Sequence, residues 1–162
     1  MAPAAKRRSE PASRKLEKHG WHVLRSIPVG KGESDLDHLL ISSGGVFTVN
    51  TKNHPGKQVW VGQHSIKVNG HSTRYLPIAR YEAERARKLL SQAVGREVPV
   101  TAVLVILTST AIPQVTIMQM PADVTVLDRM DIPRVFKRAR EQMTDRQLEQ
   151  VFAKASCSAQ TL

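Results

Sequence analysis

Residues 35–52 read Asp-Leu-Asp-His-Leu-Leu-Ile-Ser-Ser-Gly-Gly-Val-Phe-Thr-Val-Asn-Thr-Lys, two apolar runs joined through Gly44-Gly45. A glycine pair reaches positive φ without steric penalty, so the stretch is expected to fold as a β-hairpin with Gly44-Gly45 as its two-residue loop. That loop sets a register in which Ser43 faces Val46, Leu39 faces Asn50 and Asp37 faces Lys52. Side chains alternate along a strand, so Asp37, Asn50 and Lys52 share one face while Phe47 and Val49 point the other way. A carboxylate, an amide and an ammonium gathered beside an apolar sheet need partners or a ligand, because burying them bare is costly. Taken alone, Asp37 opposite Lys52 is a cross-strand ion pair of roughly 0.2–1 kcal/mol.

Around this hairpin the pattern predicts a mixed α/β domain. Residues 1–10 read as a disordered basic tail and 11–155 as a single domain, with 156–162 a C-terminal tail. A short helix is expected over 11–19, since Pro11 suits a first turn and Gly20 a position just past the end. A first strand follows over 21–27, ended by Pro28 and the Gly30-Lys31-Gly32 loop. His54-Pro55-Gly56 reads as a turn, and 59–61 with 66–68 as a second hairpin around Gly62-Gln63-His64-Ser65. Asn69-Gly70 signals another turn.

The period turns helical over 76–94, where Ala79, Ala83, Ala86, Leu90 and Ala93 form a narrow stripe of small residues suited to close packing on a sheet. Glu82 falls on the margin of that stripe, and Gly95 closes the helix. Residues 100–107 are expected as a buried central strand and 124–127 as a shorter one. Two helices follow near 132–140 and 145–154, the last introduced by a Thr144/Gln147 capping box. The order α, β, β-hairpin, β-hairpin, α, β, β, α, α points to one mixed sheet with helices on its faces.

The charge balance narrows the partner. Lysine and arginine exceed aspartate and glutamate by 24 to 14, a net +10, which predicts attraction to polyanions, nucleic acid ahead of membrane lipid. The lone Cys157 excludes an internal disulfide and a cysteine-rich metal site, and suits a reducing cytoplasm. The run 98–107 is too short and too broken to span a bilayer, and the basic N-terminus lacks the apolar core of a secretory signal. The six histidines show no zinc-ligand spacing. His38 alternates to the face opposite Asp37 and reads as packing. With aromatics at only 4%, Trp60 and Tyr75 are assigned to the core rather than to base stacking.

Phosphodiester cleavage needs hard oxygen ligands for Mg²⁺ and a cation near the developing negative charge. Asp37 meets the first need, Lys52 the second, and Asn50 is a weaker, neutral oxygen donor. At Gly20-Trp21-x-Val23-Leu24, Asp35-x-Asp37-His38-Leu39-Leu40-Ile41, Gly44-Gly45-Val46-Phe47 and Asn50-Thr51-Lys52-Asn53-x-x-Gly56 the chain resembles the nuclease-related domain (NERD) family of the PD-(D/E)xK nuclease superfamily.

The resemblance, over roughly residues 11–94, implies a restriction-endonuclease-like α-β-β-β-α-β core flanked by helices. It implies cleavage of DNA or RNA dependent on Mg²⁺ (or Mn²⁺), with Asp37 matching the metal-binding aspartate and Lys52 the catalytic lysine. Asn50 stands where the pattern has Asp or Glu, which removes one unit of charge from a site for a divalent cation. Glu82 is the first candidate to compensate, so the expected site is Asp37, Asn50, Lys52 and Glu82, with Asp37, Asn50 and Glu82 holding the metal. Glu33, Asp35 and Glu10 are further candidates, and an ion pair between Glu82 and Arg85 is the bland alternative. Expected partners are nucleic acid, DNA ahead of RNA, with no membrane. A homodimer or a larger DNA-processing partner stays open. The rival reading is a nucleic-acid-binding module on the same fold with catalysis weakened or lost at Asn50.

Overall fold

A computed structural model describes residues 21–28, 35–108, 114–128, 131–132, 134 and 140–161. The helix expected over 11–19, most of that over 132–140, and the candidates Glu10 and Glu33 lie outside these. Strands β1 (His22–Pro28), β2 (Asp35–Ser42), β3 (Gly45–Asn53), β7 (Val100–Leu107) and β9 (Val124–Asp128) form a five-stranded sheet in the order β1-β2-β3-β7-β9. The pairs β1–β2 and β2–β3 are antiparallel, whereas β3–β7 and β7–β9 are parallel. The central strands bury both faces, as the unbroken run of β-branched and leucine residues in β7 requires.

Three further short strands, β4 (Val59–Val61), β5 (Ile66–Val68) and β6 (His71–Ser72), join β8 (Val115–Ile117) in a second, four-stranded sheet ordered β6-β5-β4-β8. The single sheet expected from the sequence is therefore two. β6 and β8 are too short to carry a visible alternation, and β8 exists because β4 offers it an edge in parallel.

Helix α1 (Tyr75–Val94) spans the crossover from β3 to β7 and ends at Gly95, whose left-handed φ of 80° lets its N–H bond back to Ser91. Its buried residues are Leu76, Ala79, Glu82, Ala83, Ala86 and Leu90. Ala93, expected in the stripe, is exposed. Helix α2 (Asp145–Thr161) runs beyond the end expected near residue 154, and its start carries the reciprocal Thr144/Gln147 capping bonds, 3.0 and 3.2 Å. One core joins α1 and both sheets, with Leu76, Ala79 and Ala83 clustered with Ile66, Leu104 and Val126. A second sets Leu39, Ile41 and Val46 against Leu90 and Val151. A third covers the opposite face of the main sheet, around Trp21, Phe47, Val49 and Val105. Among the described residues, no helix is long and apolar enough to cross a membrane.

The hairpin register differs from the expected one by two residues. Ser42 pairs with Gly45 and His38 with Val49, so the turn is Ser43-Gly44, and Gly45, at φ 116°, opens β3. Leu39 faces Thr48 rather than Asn50. The next step beyond His38–Val49 sets Asp37 level with Asn50, not with Lys52. A shift of two preserves the alternation, so the strand faces are unchanged. The start of β3 is also held from outside the hairpin. Val46 N–H bonds the Pro99 carbonyl at 3.0 Å, and a Cβ on Gly45 would stand 3.2 Å from that oxygen. The residue just before β7 thus sits close against Gly45 and favours glycine there.

Candidate functional site

Alternation along β3 sends Val46, Thr48, Asn50 and Lys52 to the face covered by α1. Val46 shares a core cluster with Leu90, Asn50 meets Glu82, and Lys52 reaches Tyr75. Strand and helix therefore run in opposite senses with matched pitch. Four residues of strand cover roughly 13 Å and eight residues of helix about 12 Å, which keeps successive contacts in step.

Asn50 and Glu82 form the buried centre of this face, 7% and 3% exposed. The Asn50 side-chain amide donates through Nδ2 to Glu82 Oε2. A carboxylate so far from water requires polar partners, and the neutral amide supplies one. Glu82 is thus not marginal: it sits deep in the helix–sheet contact, while Arg85 is exposed. Asp37 occupies β2 in phase with Leu39 and Ile41, residues of the α1-side core. The side chains of Asp35 and Asp37 lie outside the described set. Among the described residues, no three His, Cys, Asp or Glu side chains cluster closely enough to hold a metal.

Lys52 is half-buried, and its Nζ lies 5.1 Å from the centroid of the Tyr75 ring, a cation–π contact that limits where the ammonium can swing. The Tyr75 hydroxyl in turn lies 2.6 Å from His54 Nε2, with the rings stacked at 5.8 Å. Burial, then the charges of Lys57 and Lys52, hold the His54 imidazole below its ordinary pKa of 6.5. Burial raises the Tyr75 phenol above its ordinary value. Both shifts favour a neutral pair joined by one shared proton.

Tyr75 is expected in the core, against which it does pack, partly buried, and His54 is expected as turn chemistry. The backbone does turn there, with Lys57 N–H bonding the His54 carbonyl, but the imidazole also engages the site. The available signal was periodicity. His54 is two residues past Lys52, and its N–H extends the β3–β7 ladder to Leu107. Tyr75 and Glu82 are seven apart, two helical turns on one face. Trp60, assigned to the core, is 44% exposed, because Val59 and Val61 take the inward positions of β4.

A family model described as "Nuclease-related domain" matches residues 4–107. No curated protein matches the chain by sequence. Among solved structures, that of Pyrococcus furiosus SfsA in complex with Ca²⁺ is similar at 17% identity over 93% of this chain, with a TM-score of 0.28. The chain spans half, 50%, of that protein's length.

Proposed function

Since the chain belongs to the nuclease-related domain family, we propose that it is a divalent-metal-dependent nuclease acting on DNA through the α1-facing side of β2 and β3. The observation that carries this reading is the buried Asn50–Glu82 contact, which lies level with Asp37 on the strand face shared with Lys52. The donor set fits Mg²⁺ or Mn²⁺: Asp37, Glu82 and the Asn50 carbonyl oxygen are all hard oxygen ligands, with two carboxylates to balance a divalent charge. Asp37, Asn50 and Glu82 would hold the ion. Bound there, it would polarise the phosphate and lower the pKa of a water ligand.

The chain's own groups do the rest. Asn50 keeps the Glu82 carboxylate oriented in a site too dry to solvate it. Lys52 supplies a fixed positive charge for the phosphate oxygens as negative charge builds. The Tyr75 ring restrains that ammonium, and the net charge of +10 gives sequence-independent, salt-sensitive affinity for the backbone.

The test incubates the full chain with supercoiled DNA and Mg²⁺ or Mn²⁺. Cleavage is expected to stop in EDTA and to fall about 100-fold or more in Asp37→Ala and Lys52→Ala. Wild-type cleavage by both variants would overturn the site. The neutral Asn50 favours a second reading, a binding module without catalysis. Titration calorimetry decides: DNA binding with no heat from Mn²⁺ supports the module, and Asn50→Glu should then restore metal binding.

A further inference from the structure

The second sheet is charged in one sense only. Between Asp37 and Glu82 the sequence has no acidic residue, yet it carries Lys52, Lys57, Lys67, Arg74 and Arg80; of these Arg80, on α1, is ion-paired with Asp123 at 2.6 Å. The β8 strand adds no acid either, since none occurs between Glu97 and Asp123. The inner face of this sheet is filled by Val59, Val61, Ile66 and Val68, packed on α1 and the main sheet. The outer face carries a single row across all strands. Trp60 stands between Lys67 on β5 and Thr116 on β8, and Lys67 pairs in turn with Ser72 on β6.

Trp60 is 44% exposed, whereas the protein's other tryptophan, Trp21, is buried. Beside it lies an open concavity of about 420 Å³, lined by Trp60, Gly62, Ser65, Lys67, Gly70 and Met118. Glycines at two of these positions keep the rim low, and Gly70 has open space where a side chain would stand. A flat group can therefore approach the ring from solvent. An exposed indole beside an ammonium that makes no ion pair among the described residues, on strands that carry no carboxylate of their own, is complementary to a ligand that is planar, aromatic and anionic at its edge.

We infer that this outer face is a binding site for single-stranded nucleic acid. One unpaired base stacks on Trp60, and the phosphates flanking it meet Lys67 and the neighbouring basic side chains. Inside a duplex both faces of a base are covered, so away from the duplex ends only an unpaired base presents a π-face to the indole. Stacking of this kind tolerates any base and is worth roughly ten- to a hundredfold in affinity. The inference rests on the preceding reading in one respect, that the partner is nucleic acid. It adds that the substrate class is single-stranded, or carries a single-stranded segment.

The test measures binding alone, with the full chain in EDTA, using an oligothymidylate of about 20 nucleotides and a blunt duplex of equal length. The single strand is expected to quench tryptophan emission. Trp60→Ala should weaken single-strand binding about tenfold or more, with duplex binding changed less than about twofold, and Trp60→Phe should recover most of the loss. Lys67→Gln should lower the salt dependence by about one phosphate contact. Equal loss for both nucleic acids in Trp60→Ala, or no loss for either, overturns the inference. So does concentration-dependent self-association of the wild type that Trp60→Ala abolishes, which would make the patch a contact with a second copy. Because no cleavage is measured, the two readings fail separately. Cleavage untouched by Lys52→Ala removes the nuclease site and leaves this surface standing, whereas an inert Trp60 removes the surface and leaves the nuclease site.

Discussion

Asn50 of β3 donates its side-chain amide to the carboxylate of Glu82 on α1, and both side chains are buried. The neutral amide of β3 is therefore the group that satisfies the buried acid brought in by the helix. A carboxylate at position 50 would instead set two anions in contact away from water. A neutral amide there and an acid on the helix keep the pair compatible with burial.

The pair predicts a specific ordering of stabilities. Glu82→Leu leaves the Asn50 donor unsatisfied and should cost about 1–3 kcal/mol in chemical denaturation, whereas Glu82→Gln keeps an acceptor and should cost less. Asn50→Asp should be destabilised by a similar amount in EDTA, and should regain more stability than the wild type when Mg²⁺ is added. Equal stability of Asn50→Asp and wild type in EDTA would contradict the contact.

His54 gives the protein a pH dependence of definite sign. Its pKa in the fold lies below the ordinary 6.5, first through burial and then through Lys57 and Lys52. The unfolded chain therefore binds the proton more readily than the folded one. The stability His54 contributes is complete above its unfolded pKa and is lost as pH falls through the lower folded value. Between about pH 7 and pH 5, the wild type's melting temperature should fall more steeply than that of His54→Gln. Parallel curves would remove the role given to burial here.

The two glycines of the hairpin should respond differently. Gly45 has φ 116°, and an added Cβ would meet the Pro99 carbonyl oxygen at 3.2 Å, so Gly45→Ala should cost on the order of 1–3 kcal/mol. Gly44 has no positive φ, and Gly44→Ala should be nearly neutral. Thermal melts of the two variants decide between the Ser43-Gly44 turn and a Gly44-Gly45 turn.

At α2, Thr144 accepts from the Gln147 N–H and its own N–H bonds the Gln147 side chain. Thr144→Ala should cost about 1 kcal/mol, and Thr144→Ser little. Urea midpoints for the two substitutions measure the cap directly.

Much of the fold was legible because its signals are local. The β-branched run of β7 and the inward valines of β4 and β5 state their burial in two- or three-residue patterns. The alanine stripe of α1 states its packing face, failing only at Ala93 near the helix end, where the sheet no longer covers it. The face shared by Asn50 and Lys52 was legible for the same reason, since alternation survives a register error of two. The register itself was not, because Ser43-Gly44 and Gly44-Gly45 are both acceptable two-residue turns by composition and preserve the same alternation. Trp60 was misassigned because composition argues that scarce aromatics belong inside, and only the orientation of β4 says otherwise.

The sequence by itself determined the strands of the main sheet with β4 and β5, the principal helix, the basic character and the polar face of the hairpin, each of which depends on residues close together in the chain. Tertiary structure decided the rest: that Glu82 meets Asn50, that Tyr75 sits between Lys52 and His54, and that a second sheet turns Trp60 to solvent. Those outcomes depend on how α1 and β7 lie across the sheet. That placement is set by packing between segments 21 to 32 residues apart, so no local pattern encodes it.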